Sequence, residues 1–165
     1  MRTARWWIDR LELKPHPEGG YYKEVYRSAT QFQKSDSFAS FPAGRDVSTA
    51  IFYLLEAGDF SAFHRIKSDE IWHFYAGDTL EIFEFDGSGR LHIHRLGTAS
   101  DNDLPMVVIP ADHWFAAQPT PESRYVLAGC TVAPGFDFRD FTMGNKRDLL
   151  ACFPEYADII AALTR

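Results

Sequence analysis

The chain has 165 residues and a formal net charge of -6, with 45% hydrophobic and 15% aromatic residues. That length suffices for one domain burying roughly 70% of its unfolded surface, and the excess of acid argues against polyanion binding as the main task, since neutralising phosphates takes clustered Lys and Arg. Cys130 and Cys152 have neither metal-type spacing nor the density of a disulfide framework, and Met1 to Leu13 carries Asp9 and Glu12 in a short amphipathic pattern unlike a secretory signal or membrane span. The expectation is a cytoplasmic protein that binds neither nucleic acid nor membrane.

Thr3 is placed to cap a helix running to about Leu13, with Trp6, Trp7, Ile8 and Leu11 on its apolar face and Lys14-Pro15 ending it. His16-Pro17-Glu18-Gly19-Gly20 is a turn cluster. Tyr21 to Arg27 then alternates as a strand, Tyr22, Glu24 and Tyr26 on one face and Lys23, Val25 and Arg27 on the other. Ser28 to Asp46 is rich in Ser, Gln, Asp, Gly and Pro and reads as a long connection with room for a short strand or flap, its phenylalanines serving as anchors.

Val47 to Leu55 predicts a strand. Gly58 to Gly77 predicts two more around a polar corner at Arg65 to Asp69, and Thr79 to Phe85 with Arg90 to Leu96 a hairpin about Asp86-Gly87-Ser88-Gly89. In that hairpin His92-Ile93-His94 has the spacing of a metal pair, but the alternation with Leu91, Ile93 and Leu96 reads as a solvated polar face. Met106 to Ile109, Trp114 to Ala117 and Tyr125 to Ala133 complete the strands. Lys146 to Cys152 and Pro154 to Leu163 predict two closing helices. Many short strands with Gly and Pro turns and only terminal helices predict a mainly β fold, a barrel or sandwich.

Chemistry concentrates in Gly58 to Gly77. Residues two apart on a strand share a face, so Phe60, Ala62 and His64 form one row and Glu70, Trp72 and Phe74 another. If both rows face inward, an imidazole and a carboxylate share an aromatic pocket. Such a pair suits acid/base work or half of a metal site.

Gly58, His64, Glu70 and Gly77 stand in the register of the first cupin signature, and Pro110-Ala111-Asp112 in that of the second. The passages His16 to Arg27, Ala62 to Gly77 and Gly129 to Phe138 are similar to one cupin group, DUF985 or Cupin_5, whose members are described as predicted sugar epimerases. The resemblance implies a double-stranded β-helix, or jelly roll, as a single domain over 1-165. Its barrel core would span about 19-138, with a short helix before it and short helices at about 145-164. It also implies a homodimer. Where the pattern has two further histidine ligands this chain has Ile66 and Phe115, which cannot coordinate. His73 and His113 are out of position to replace them, so no metal or other cofactor is expected, a divalent metal being the alternative.

By resemblance to metal-free cupin epimerases of nucleotide-linked keto-sugars, His64 is the base and Glu70 its orienting partner. The acid is a tyrosine, Tyr53, Tyr22 or Tyr75, among which the sequence does not choose. Trp72, His73, Phe74 and Phe115 would contact the ligand, a small molecule such as a sugar nucleotide. Glu18, Tyr22, Glu24 and Arg27, with Lys23, would serve its hydroxyls and phosphates. The alternatives are a non-enzymatic ligand-binding cupin and a metal-dependent oxygenase or isomerase.

Overall fold

A computed structural model describes residues 2–32, 41 and 44–165. Helix α1 (Ala4–Leu11) begins where Thr3 Oγ1 accepts the Trp6 N–H at 3.2 Å and stops at Glu12, which turns into the left-handed region at φ 56°. Its inward residues are Ala4 and Ile8. Trp6, predicted on the apolar face, is 38% exposed instead, while Trp7 packs inward and its indole N–H reaches the Tyr125 hydroxyl at 3.1 Å.

Thirteen strands follow among the described residues. They are β1 (Lys14–Pro15), β2 (Tyr21–Arg27), β3 (Gln31–Phe32), β4 (Arg45–Asp46), β5 (Thr49–Glu56), β6 (Ser61–Arg65), β7 (Asp69–Gly77), β8 (Leu80–Phe85), β9 (Leu91–Leu96), β10 (Met106–Ile109), β11 (Trp114–Pro119), β12 (Tyr125–Ala133) and β13 (Thr142–Met143). They form a six-stranded sheet ordered β1-β2-β5-β12-β7-β10, a five-stranded sheet ordered β13-β6-β11-β8-β9 and a small β3-β4 pair. The larger sheets pack as the predicted jelly roll. In the long connection Phe41 is buried and meets Phe32 edge to face; Phe38, another of its phenylalanines, lies outside the described residues.

Strand alternation sorts the side chains into three layers. Between the sheets lie Tyr53, Leu55, Trp72, Ile82, Ile109, Phe115 and Val126. Leu54 and Leu127 point out of the larger sheet and are covered by α1. Phe63, Phe83 and Phe85 point out of the smaller sheet and are covered by Leu149 of α2 (Lys146–Cys152) and by Ile160 of α3 (Ala157–Ala162) with Leu163 beyond it. Where a helix covers it each sheet is therefore buried on two faces, which explains apolar runs such as Tyr53-Leu54-Leu55, while Tyr75, Ile93 and Val108 beyond the helices stay exposed. Pro154–Tyr156, predicted as the start of the last helix, is a separate 3-10 turn. No helix among the described residues is long and apolar enough to cross a membrane.

One local departure shapes the site. β2 pairs Glu24 with Ile51 but Tyr26 with Ala50, leaving Val25 as a one-residue bulge. The extra residue reverses the alternation. Tyr26 is thereby sent to solvent, and Arg27, predicted on the opposite face, joins Tyr22 and Glu24 on the inner one. The His92-Ile93-His94 face also differs from the prediction. His92 and His94 are partly buried and bound to Asp86 and Glu84, Glu84 holds His113 as well, and Ile93 is the exposed residue.

Candidate functional site

A cavity of about 530 Å³ opens between the sheets at the end formed by β2, β5, β6, β7 and β12. Two cross-strand rows of the larger sheet make one wall: Arg27, Thr49, Val132 and Glu70, and beside them Glu24, Ile51 and Cys130. His64 enters from β6 of the facing sheet. Phe136, Phe138 and Phe141, in mutual edge-to-face contact, line the mouth.

Glu18 arrives from outside the barrel. Its turn is stitched to the β5-β6 corner: Gly20 N–H donates to Asp59 Oδ2 at 2.8 Å, Ala62 N–H to Glu18 O at 2.9 Å, and Tyr53 O–H to Gly19 O at 2.7 Å. Gly19 has φ +122°, and a Cβ there would stand 2.0 Å from Phe60 O, so the close approach requires glycine. Arg165 adds a bond from Nε to Glu18 O at 3.2 Å.

So held, Glu18 meets two histidines. The His64 ring donates Nδ1–H to Ala62 O at 2.8 Å, because a carbonyl only accepts, which directs Nε2 at Glu18 Oε2, 3.3 Å away. His64 Nε2 and Glu18 Oε2 are near enough to share a proton, so the two side chains act as one couple. His16 Nδ1 accepts the Glu18 N–H at 3.4 Å and lies 3.7 Å from Glu18 Oε1. Burial holds the His16 ring below the ordinary histidine range; Glu18 opposes this and His64 reinforces it.

Glu70 behaves differently. Burial first, and then the charge of Glu18, push its carboxyl up to about 8, while a bond from the Cys130 thiol pulls weakly the other way. It is therefore largely protonated at neutral pH. Cys130 is pushed well above the ordinary thiol range by burial and by Glu70, so it is no nucleophile.

Of the residues singled out in the sequence, His64, Glu70, Glu18, Tyr22, Glu24 and Arg27 line the cavity. The carboxylate partner of His64 is Glu18 rather than Glu70. Tyr53, Trp72, Phe74 and Phe115 do not line it, because they fill the core between the sheets. Tyr53 spends its hydroxyl on Gly19 O, and burial raises its phenol well above the ordinary range. Phe115 supports the His64 ring from beneath, centroids 4.1 Å apart. His73 faces outward, bonded to Thr131 Oγ1 and stacked on the exposed Tyr75, which leaves Tyr22 as the tyrosine at the cavity.

Sequence reasoning missed His16, Cys130 and the three mouth phenylalanines as lining residues. His16 and Cys130 lay inside the passages that carried the resemblance, but strand parity alone could not say which way either faces.

The fold raises the question of a metal. Ile66 and Phe115 are both buried and offer no lone pair, and His64 Nε2 is engaged by Glu18. Among the described residues no group of three or more His, Cys, Asp or Glu side chains is disposed to hold an ion. This donor set does not fit a metal.

Comparison with known proteins matches this architecture. Residues 5–144 match the family model Cupin_5, described as "Cupin superfamily (DUF985)". A crystal structure of a protein from Shewanella oneidensis is similar at 34% identity and TM-score 0.89, over 100% of this chain and 99% of that one. A hypothetical protein from Leishmania major is 30% identical with TM-score 0.86, over 99% of each chain. Oxalate decarboxylase from Bacillus subtilis shares the fold alone, at 16% identity and TM-score 0.56, over 90% of this chain and 36% of that one. No curated protein matches the chain. The family match and the full-length likeness to the Shewanella protein together establish that the chain belongs to the Cupin_5 (DUF985) family of the cupin superfamily.

Proposed function

We propose that the cavity is the active site of a metal-independent epimerase or isomerase acting on a sugar or sugar derivative, at the carbon beside a carbonyl. The observation that carries the reading is the pairing, across one cavity, of the His64–Glu18 couple with a carboxyl, Glu70, that burial keeps protonated. Removing a proton next to a carbonyl needs a base near neutrality and a donor to the oxygen that becomes negative. The couple takes the carbon-bound proton, and Glu70 gives its own to the enolate oxygen. A solvent proton delivered to the other face of that carbon, with the couple releasing its proton and Glu70 recovering its own, gives the epimer; the couple's proton passed to the neighbouring carbon, with Glu70 taking the proton of the adjacent hydroxyl, gives the isomer. The mouth phenylalanines supply flat apolar faces for a sugar ring.

The test is solvent exchange. Candidate carbonyl sugars are incubated with the protein in heavy water and deuterium uptake beside the carbonyl is followed by NMR. Uptake should fall by about 100-fold or more in His64→Ala and in Glu18→Gln while ligand affinity changes little, since general acid–base groups contribute on the order of 100-fold or more. A ligand that binds without any exchange, with only its affinity lowered by His64→Ala, would make the protein a binder rather than an enzyme.

A further inference from the structure

Among the described residues Arg27 is the only Lys or Arg in the cavity lining, and every N–H of its guanidinium already has an acceptor. Nε donates to Glu24 Oε1 at 2.9 Å and Nη2 to Glu24 Oε2 at 2.7 Å. Nη1 donates to Asp46 Oδ2 at 2.6 Å, and Nη1 and Nη2 each reach Phe136 O at 3.4 Å. A guanidinium has five N–H groups, and these five bonds use them all. Its charge is also outnumbered, by two carboxylates.

Two neighbouring cations are also paired with carboxylates, Arg45 with Asp137 and Asp140 and Arg139 with Asp137 through both its Nε and Nη2, although Arg45 Nε is buried without a partner among the described residues. Deeper in the cavity, among the described residues, no Lys or Arg lines the wall, and Glu18 and Glu70 are its carboxyl groups. A phosphate arriving here would have to displace Glu24 or Asp46 from Arg27 and then sit against the carboxylate it displaced, which is like-charge juxtaposition. Sugar hydroxyls have the opposite requirement. They donate, and Glu24, Asp137 and Glu18 present acceptor oxygens.

We infer that the ligand is an unphosphorylated, uncharged polyhydroxy carbonyl compound, a free aldose or ketose, and that sugar phosphates and nucleotide-linked sugars are excluded by the saturated Arg27. This rests on the reading of the cavity as an acid/base site for a sugar-sized molecule and narrows its substrate class.

The experiment is a matched-pair binding measurement on the full chain by titration calorimetry and ligand-observed NMR. Glucose, fructose, xylose and ribulose are each compared with their phosphate esters, and uridine diphosphate glucose is included. The expected result is that at least one neutral sugar binds and exceeds its own phosphate ester by about tenfold or more, with affinity nearly independent of sodium chloride. Glu24→Ala, which uncovers two N–H groups of Arg27, should improve the phosphate ester relative to its neutral parent by roughly fivefold or more. A phosphate ester or nucleotide sugar that binds as well as its neutral partner overturns the inference, as does failure of every neutral sugar in the panel to bind. Deuterium exchange separates the two levels. A neutral sugar that binds without exchange sinks the isomerase reading and leaves the ligand class standing, whereas exchange on a phosphate ester keeps the isomerase and removes the class.

Discussion

Replacing Glu70 by Gln should remove a pH dependence of stability that is opposite in sign to that of a salt-bridged carboxylate. A carboxyl whose ordinary value of 4.5 is raised to about 8 by folding holds its proton in the native state where the unfolded chain has released it. Between those values the native state binds more protons, so stability falls as pH rises. Below the lower value there is no penalty, and above the upper one it is complete. Each pH unit crossed is worth about 1.4 kcal/mol, so the full penalty is on the order of 5 kcal/mol, of which roughly 3–4 kcal/mol accrues between about pH 5 and pH 8. Gln keeps the shape and can still accept the Cys130 S–H through its carbonyl, but it cannot ionise. Urea unfolding of both proteins across this range should show the variant gaining on the wild type by roughly that amount, other groups cancelling in the difference. Glu18→Gln, by removing the charge beside Glu70, should shrink the effect. Parallel pH–stability curves for wild type and Glu70→Gln would refute the buried, protonated Glu70 and with it the proton donor of the proposed mechanism.

Arg45→Met should cost about 3 kcal/mol in chemical denaturation, because among the described residues it leaves the buried Asp140 with only the 3.8 Å contact to Lys67 and Asp137 with Arg139 alone. Gly19→Ala should cost several kcal/mol at a left-handed position with backbone at 2.0 Å, and should lower deuterium exchange more than ligand affinity because it displaces Glu18; an active, fully stable variant would contradict the close approach. Prolonged chelation, with elemental analysis before and after, should leave exchange activity unchanged, and loss of activity restored by a divalent ion would show that a ligand has been overlooked. Asn145→Ala should lower stability by about 1 kcal/mol, since the Asn145 side chain caps α2 through the Arg147 and Asp148 amides.

Much of this fold could be read from the sequence because its strands obey simple alternation. Met106 to Ile109, Tyr125 to Ala133 and Lys146 to Cys152 form with the predicted bounds. The glycine and proline turns are equally visible. What alternation cannot report is an insertion that costs nothing in composition. Nothing in Tyr21 to Arg27 marks Val25 as unpaired, so Arg27 reads as facing the wrong way. Nor can it report destinations. His16 to Gly20 is plainly a turn, but its docking on Asp59, Phe60 and Ala62, which brings Glu18 to His64, depends on contacts some forty residues apart. Glu70, nearer to His64 in sequence, reads as the partner instead. Likewise no periodicity in Phe136 to Phe141 reports that Phe136, Phe138 and Phe141 line the cavity.

The bulge at Val25 also makes the charge of the entrance depend on where the extra residue sits. Because Val25 is the unpaired residue, Tyr26 stands opposite Ala50 and Arg27 opposite Thr49, and deleting Val25 would leave both pairings and both faces as they are. Moving the insertion beyond Arg27 would instead pair Val25 with Ala50 and Tyr26 with Thr49, swing Tyr26 inward and turn Arg27 to solvent, stripping Glu24 and Asp46 of their shared cation. In this barrel the sign of the entrance is thus held by the position of one bulge, with no change in composition.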